Sequence, residues 1–199
     1  GITVISGLAR GIDIAAHRGA LSGKGRTIAV LGSGLGNIYP EEFQEEVERI
    51  AENGAVVSEY PLDMGPAREN FPKRNRIISG LSLGVVVVEA GLKSGSLITA
   101  HCALEQGREV FSLPGNIDNP NTHGGHRLIQ QGAKLVTNVD EILEEILPLK
   151  GKAMPSAFAP RKPEEIEKTL SEEDRKILSL LDEVPRSIEW ITHQLQRSE

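Results

Sequence analysis

Short runs of β-branched and apolar residues recur along the chain between glycine-rich turns: ITVIS, RTIAVLG, GAVVSEY, GVVVVEA, REVFSLPG and AKLVTN. Most are separated by amphipathic stretches of helical length. In PEEFQEEVERIAENG, for example, Phe43, Val47, Ile50 and Ala51 are placed on one helical face. Alternation of this kind predicts parallel strands joined by helices that cover both faces of a sheet. The segment from Val85 to Val88, apolar at every position, is expected in the middle of that sheet, because only burial on both faces removes the need for polar alternation. The expected fold is α/β: a doubly wound, mostly parallel, Rossmann-like sheet over residues 1–147.

The pattern breaks in residues 148–163. PLKGKAMPSAFAPRKP has four prolines and no amphipathic period, and reads as a linker. Residues 164–199 then predict a small all-α segment. Ser171 is placed to cap one helix that carries Ile177, Leu178, Leu180 and Leu181 on a core face, and Ser187 to cap a second that carries Ile188, Trp190, Ile191 and Leu195. Two short helices joined by DEVPR match the first half of a winged-helix module, and equally a helical partner-docking module. The chain opens on GITVISG, which reads as a strand already under way, so an upstream segment is expected in the natural protein.

Charge narrows the partners. Lys and Arg number 22 against 28 Asp and Glu, a formal net charge of −6, which argues against a surface coated in positive charge for indiscriminate nucleic-acid binding. A local basic site remains open. Cys102 is the single cysteine, so no internal disulfide is possible, and the composition points to a reduced, cytoplasmic setting. Apolar runs such as GVVVVEAG are too short to span a bilayer, and no membrane association is expected. His17, His101, His123, His126 and His193 are scattered, no Ser-His-Asp or Cys-His set assembles by spacing, and neither a metal nor a cofactor is expected.

In an open parallel sheet, ligands gather at the carboxyl ends of the strands. Five loops there are unusual. SGLARGID offers Gly7 and Gly11 for close backbone approach, Arg10 near a helix start, and Asp13 for the helix dipole. GSGLGNIYP, with Gly32, Ser33 and Gly34, is a candidate phosphate cradle or simply a tight turn. Ser94, Gly95 and Ser96 precede a helix and form a second candidate anion nest. GNIDNPNTHGGHR carries His123, His126 and Arg127. The fifth loop, ENFPKRNRIISG, places Lys73, Arg74, Asn75 and Arg76 in a first helical turn opened by Pro72, where the dipole favours acids. Cations set against the dipole suggest an anionic partner, although a solvated cluster or pairing of Arg74 and Arg76 with Glu59, Glu69 or Glu89 gives the same sequence. Phe71 is suited to stack on a base or to pack as a hydrophobic staple.

Taken together, SGLARGID, GSGLGNIYP, VVSEYP, NFPKRNRIISGLS, EAGLKSGSLITA and LPGNIDNPNTHGGHRLIQQGA resemble the bacterial DNA-processing protein A family (DprA or Smf), in unbroken motif order from residue 1 to about 147. The resemblance implies a domain that binds single-stranded DNA without strong sequence preference, forms homodimers and helps load the RecA recombinase in natural transformation. It implies a DNA pocket that includes Arg10, Gly32, Ser33, Gly34, Arg68, Phe71, Lys73, Arg74 and Asn75, with Ser94, Gly95 and Ser96 nearby. It implies no enzymatic activity. The main rival is a nucleotide-processing hydrolase resembling the lysine-decarboxylase-like phosphoribohydrolases, whose PGGxGTxxE signature is not matched by AGLKSGSLITAHCALEQ. A nicotinamide-dependent oxidoreductase fits less well, since GSGLGN lacks the last glycine of Gly-x-Gly-x-x-Gly.

Overall fold

The structure is a computed structural model that describes residues 1–146 and nine positions between Ser171 and Leu195. The contacts divide the chain into two units, Gly1–Gly151 and Lys152–Glu199. In the second unit Arg175, Ile177 and Ser179, and then Trp190, Thr192, His193 and Leu195, are helical. The expected linker and the rest of the expected helical segment lie outside the described residues.

In the first unit strands and helices alternate: β1 (Thr3–Ser6), α1 (Ile12–Ser22), β2 (Arg26–Val30), α2 (Gln44–Asn53), β3 (Gly54–Val57), α3 (Asn70–Leu81), β4 (Gly84–Val87), α4 (Gly95–Glu105), β5 (Glu109–Ser112), α5 (His123–Gln130), β6 (Lys134–Leu135) and α6 (Val139–Glu145). Every strand pair is parallel. The strands form two three-stranded sheets, β1-β2-β3 and β4-β5-β6, so this is the α/β, Rossmann-like architecture expected.

Each sheet has its own core. Leu8, Ile14, Ala29, Leu31, Phe43, Val47 and Ile50 pack α1 and α2 onto the first. Val87, Ala90, Ala100, Ala103, Val110 and Leu128 pack α4 and α5 onto the second. Ala51, expected on the core face of α2, is exposed. A single 3-10 turn at Glu41–Phe43 precedes α2 and leaves Phe43, Val47 and Ile50 to carry the buried stripe.

The position of the Val85–Val88 run differs from expectation. β4 is an edge strand, paired only with β5 among the described residues, and Val86 and Val88 are 39% and 38% exposed. A continuous apolar run therefore does not by itself fix a central place. The middle strands are β2 and β5, where Thr27, Ala29 and Val30, and Val110, Phe111 and Ser112, are buried.

One buried polar pair ties α1 to the sheet. The Thr27 hydroxyl donates its one hydrogen to the Val4 carbonyl at 2.9 Å, so it accepts from His17 Nδ1, 2.6 Å away. His17 is fully buried, and its Nε2 is left as the bare lone pair, with no hydrogen-bond partner among the described residues. Burial pushes the imidazole down to about 4, opposed by the Asp13 carboxylate and helped by the Arg74 guanidinium. As pH falls below the ordinary histidine value the unfolded chain takes up a proton that the folded one refuses. The fold should thus lose up to about 3 kcal/mol between pH 6.5 and 4, and nothing from this group above pH 6.5. Urea unfolding of the protein and of His17→Asn, whose amide can still donate to Thr27, checks this: the variant should lack that part of the acid sensitivity.

Candidate functional site

The loop between β1 and α1 is held in an uncommon shape. Leu8 has φ 61°, a left-handed conformation that costs a branched residue free energy, yet its side chain is fully buried. The flanking N–H groups of Gly7 and Ala9 both donate to Asp13 Oδ2, at 3.1 and 3.2 Å. Asp13 thus clamps the loop from the first turn of α1. Arg10 projects outward from it. Its Nε lies 2.6 Å from Glu42 Oε1, both side chains being about half exposed, and its guanidinium lies 6.0 Å from the centre of the Tyr39 ring. The Glu42 hydrogen bond, then Tyr39, raise Arg10 above the ordinary guanidinium value, and Arg10 in turn lowers Glu42.

Arg74 is turned inward, with 3% of its surface exposed. From the first turns of α3 it donates through Nη1 to the Gly7 carbonyl at 2.7 Å and to the Val30 carbonyl, and through Nε to Asn75 Oδ1 at 3.1 Å. These carbonyls leave the ends of β1 and β2, just past the last β1–β2 pair, Ser6 with Ala29. Burial lowers Arg74 from its ordinary value, and the Asp13 carboxylate opposes that. A Cβ on Gly7 would stand 2.4 Å from the guanidinium, so only glycine admits this approach. The sequence suggested a phosphate grip for Arg74. In the structure its donors Nη1 and Nε are committed to the protein.

Phe71, one turn earlier, is half-buried. Its ring packs on Gly32, where a Cβ would come within 2.8 Å of it. It lies 5.9 Å from the Tyr39 ring at an interplanar angle of 52°, and 5.9 Å from the Arg74 guanidinium. Gly7, Ala9, Arg10, Tyr39, Pro40 and Phe71 enclose a cleft of about 350 Å³. Tyr39 was not singled out in the sequence. The signal available was its place in GSGLGNIYP, seven residues beyond the glycine on which Phe71 packs.

The Gly32-Ser33-Gly34 loop reaches the cleft through Gly32. As a cradle it is largely committed elsewhere: Gly34 N–H donates to the Met64 carbonyl, Gly36 N–H to the Leu62 carbonyl, and the buried Ser33 hydroxyl to the Asn37 carbonyl. Ser94 caps α4, accepting from the Ser96 N–H at 3.3 Å, and the Gly95 carbonyl accepts from Asn75 Nδ2 at 3.3 Å. Ser94, Gly95 and Ser96 are thereby joined to the start of α3. Lys73 and Arg68 are exposed and in no ion pair among the described residues. Arg76 pairs with Glu59 and so belongs to the internally paired alternative. Glu89 pairs with neither Arg74 nor Arg76. It accepts from Asn119 Nδ2 at 3.2 Å, because β4 ends at Val87 and carries it toward the loop before α5.

Comparison with known proteins covers the same region. The family model for DNA recombination-mediator protein A matches residues 1–147. Protein Smf of Escherichia coli is 60% identical over 147 residues, which are 73% of this chain and 39% of that protein. The DNA processing protein DprA of Bacillus subtilis is 49% identical over 146 residues, 73% of this chain and 49% of its own. The X-ray structure of DprA from Streptococcus pneumoniae superposes with a TM-score of 0.68 at 47% identity, over 73% of this chain and 51% of that one. The structure of DNA processing protein A from Helicobacter pylori, described for its single-stranded DNA binding mode, gives 0.66 at 33% identity, over 73% and 66%. The chain thus spans about 39–51% of the length of the first three relatives.

The inward arginine makes a clear demand on stability. Arg74→Ala leaves the Gly7 and Val30 carbonyls without this donor and should cost about 2–4 kcal/mol in denaturant unfolding. Arg76→Ala breaks only an exposed pair and should cost under about 1 kcal/mol. Equal losses from the two substitutions would contradict the structural role of Arg74.

Proposed function

The chain belongs to the DNA recombination-mediator protein A family, and from that premise we propose that its first unit binds single-stranded DNA at the cleft between the β1–α1 loop and the start of α3. The observation that carries the reading is the pair of aromatic rings, Phe71 and Tyr39, set in an open cleft that the Arg10 side chain also lines. A base has a flat apolar face that stacks on such rings whatever its identity, and the phosphates beside it call for cations. Lys73 and Arg68 are in no ion pair among the described residues, and the Glu42 carboxylate that pairs with Arg10 is exposed, so a phosphate can replace it while the guanidinium stays against the Tyr39 ring. Arg74 and Asn75 contribute by fixing the cleft: the first ties α3 to β1 and β2, the second ties it to α4. Gly32 serves by letting the Phe71 ring lie flat on backbone.

The wider role is proposed for the longer protein of which such a chain is part: a cytoplasmic homodimer that delivers single strands to the RecA recombinase in recombination and DNA uptake. The reading assigns no catalytic step and no cofactor. Among the described residues no three side chains gather as metal ligands, and no helix is long and apolar enough to cross a membrane.

Binding measured by fluorescence anisotropy across a salt series tests the proposal. Single strands should bind more tightly than duplex, with little sequence preference. Phe71→Ala should weaken binding by about 1–3 kcal/mol and leave the salt dependence nearly unchanged, because no charge is lost. Lys73→Ala should instead flatten the slope of log affinity against log salt by about 0.7, the share of one phosphate on a single strand. If Phe71→Ala lowers the melting temperature while affinity of the folded protein stays intact, the ring is a packing residue and the proposal fails at its centre.

A further inference from the structure

We propose that a second cleft, between α4 and α5, carries a bound single strand onward from the Phe71 cleft. The inference rests on the reading that the Phe71 cleft takes a nucleotide. The second cleft has a volume of about 330 Å³, and Leu92, Lys93, Ile98, His101 and Arg127 are among the residues that line it. Lys93 and Leu92 come from the loop after β4, Ile98 and His101 from α4, and Arg127 from α5.

Its chemistry is that of a nucleotide site. Leu92 and Ile98 offer aliphatic surface, 57% and 39% exposed, against which a base can lie. Lys93 and Arg127 are exposed, and neither joins an ion pair among the described residues, whereas Arg10, Arg18, Arg76 and Lys134 all do. No aspartate or glutamate lines the cleft, in a protein with 28 acids against 22 Lys and Arg. An acidic protein segment would also suit these cations. Continuity favours the strand of DNA. Asn75, next to Arg74 at the start of α3, donates to the Gly95 carbonyl at the start of α4, and the neighbouring Ser94 lines the second cleft. α3, which carries Phe71, packs against α4, which lines the second cleft, so a strand longer than the few nucleotides held at Phe71 has a continuous path from one cleft to the other.

Oligothymidylates of about 4 and about 16 nucleotides, the range of site sizes for single-strand binding domains, separate the two clefts. The full chain carrying Lys93→Ala and Arg127→Ala should bind the short strand like the unaltered protein and the long one about tenfold more weakly. Its salt slope on the long strand should be less steep by about 1.4, the share of two phosphates. Both side chains are exposed, so the melting temperature should not move, and Lys93→Arg with Arg127→Lys should restore affinity. Equal weakening at both lengths, or unchanged binding of the long strand, overturns the inference; in the second case the cleft serves an acidic protein partner or none. Phe71→Ala should weaken both lengths. If the unaltered protein binds neither strand, the reading of the Phe71 cleft fails first, and this one with it.

Discussion

The architecture of the site depends on one buried guanidinium. Parallel strands that end at the same edge leave carbonyl oxygens there with no further strand to accept from, and a buried carbonyl without a donor costs about as much as a lost hydrogen bond. Arg74 meets two of them at once, Gly7 after β1 and Val30 at the end of β2, from a position 67 residues along the chain from the first. A long side chain does this through one guanidinium nitrogen, Nη1, which has two N–H donors, while Nε is left to donate to Asn75. The consequence is geometric: the β1–α1 loop, the end of β2 and the start of α3 are fixed to one another, and Phe71 and Asn75 inherit their positions from that junction.

A charge buried this way has to be tolerated electrostatically. Asp13, which clamps the neighbouring loop through the Gly7 and Ala9 N–H groups, also favours the charged form of Arg74, while burial disfavours it. His17 sits within the field of both and, fully buried, holds its proton weakly. The interior beneath the cleft is thus a set of coupled polar groups rather than an apolar floor. What it presents outward is different. Arg68 and Lys73 are exposed and in no ion pair among the described residues, Arg10 at the cleft has an exposed partner in Glu42, and the pairs of Arg18 with Glu46 and of Lys134 with Glu145 lie elsewhere.

Much of this was legible as pattern. Alternating β-branched runs and amphipathic stretches are enough to predict parallel strands covered by helices, and the unusual loops all fall at strand ends because that is where a parallel sheet has room for them. Family resemblance, carried by motif order, pointed to Phe71, Lys73, Arg68 and Arg10 as neighbours. It did not distinguish the residues that face outward from those that hold the cleft together. Arg74 and Arg76 look equivalent in FPKRNR, and two positions on a helix turn them to opposite sides: Arg74 is buried among strand-end carbonyls, whereas Arg76 meets Glu59 in solvent. Gly34 in turn resembled a phosphate cradle, and its N–H is spent on the Met64 carbonyl.

The sequence by itself determined the class of fold, the edge on which the chemistry gathers and the types of group present there: rings, cations and close-approach glycines. Those follow from local periodicity and composition, which do not need to know what lies across the molecule. Tertiary structure decided the division of labour among them. Whether a cation is free or committed depends on which carbonyls and carboxylates the fold brings within about 3 Å of it, from segments far away in sequence. It also decided that the apolar run at Val85 would occupy a sheet edge, and that Tyr39 would stand beside Phe71. Contacts of that kind arise from the packing of α3 against the ends of β1 and β2, and no run of neighbouring residues encodes them.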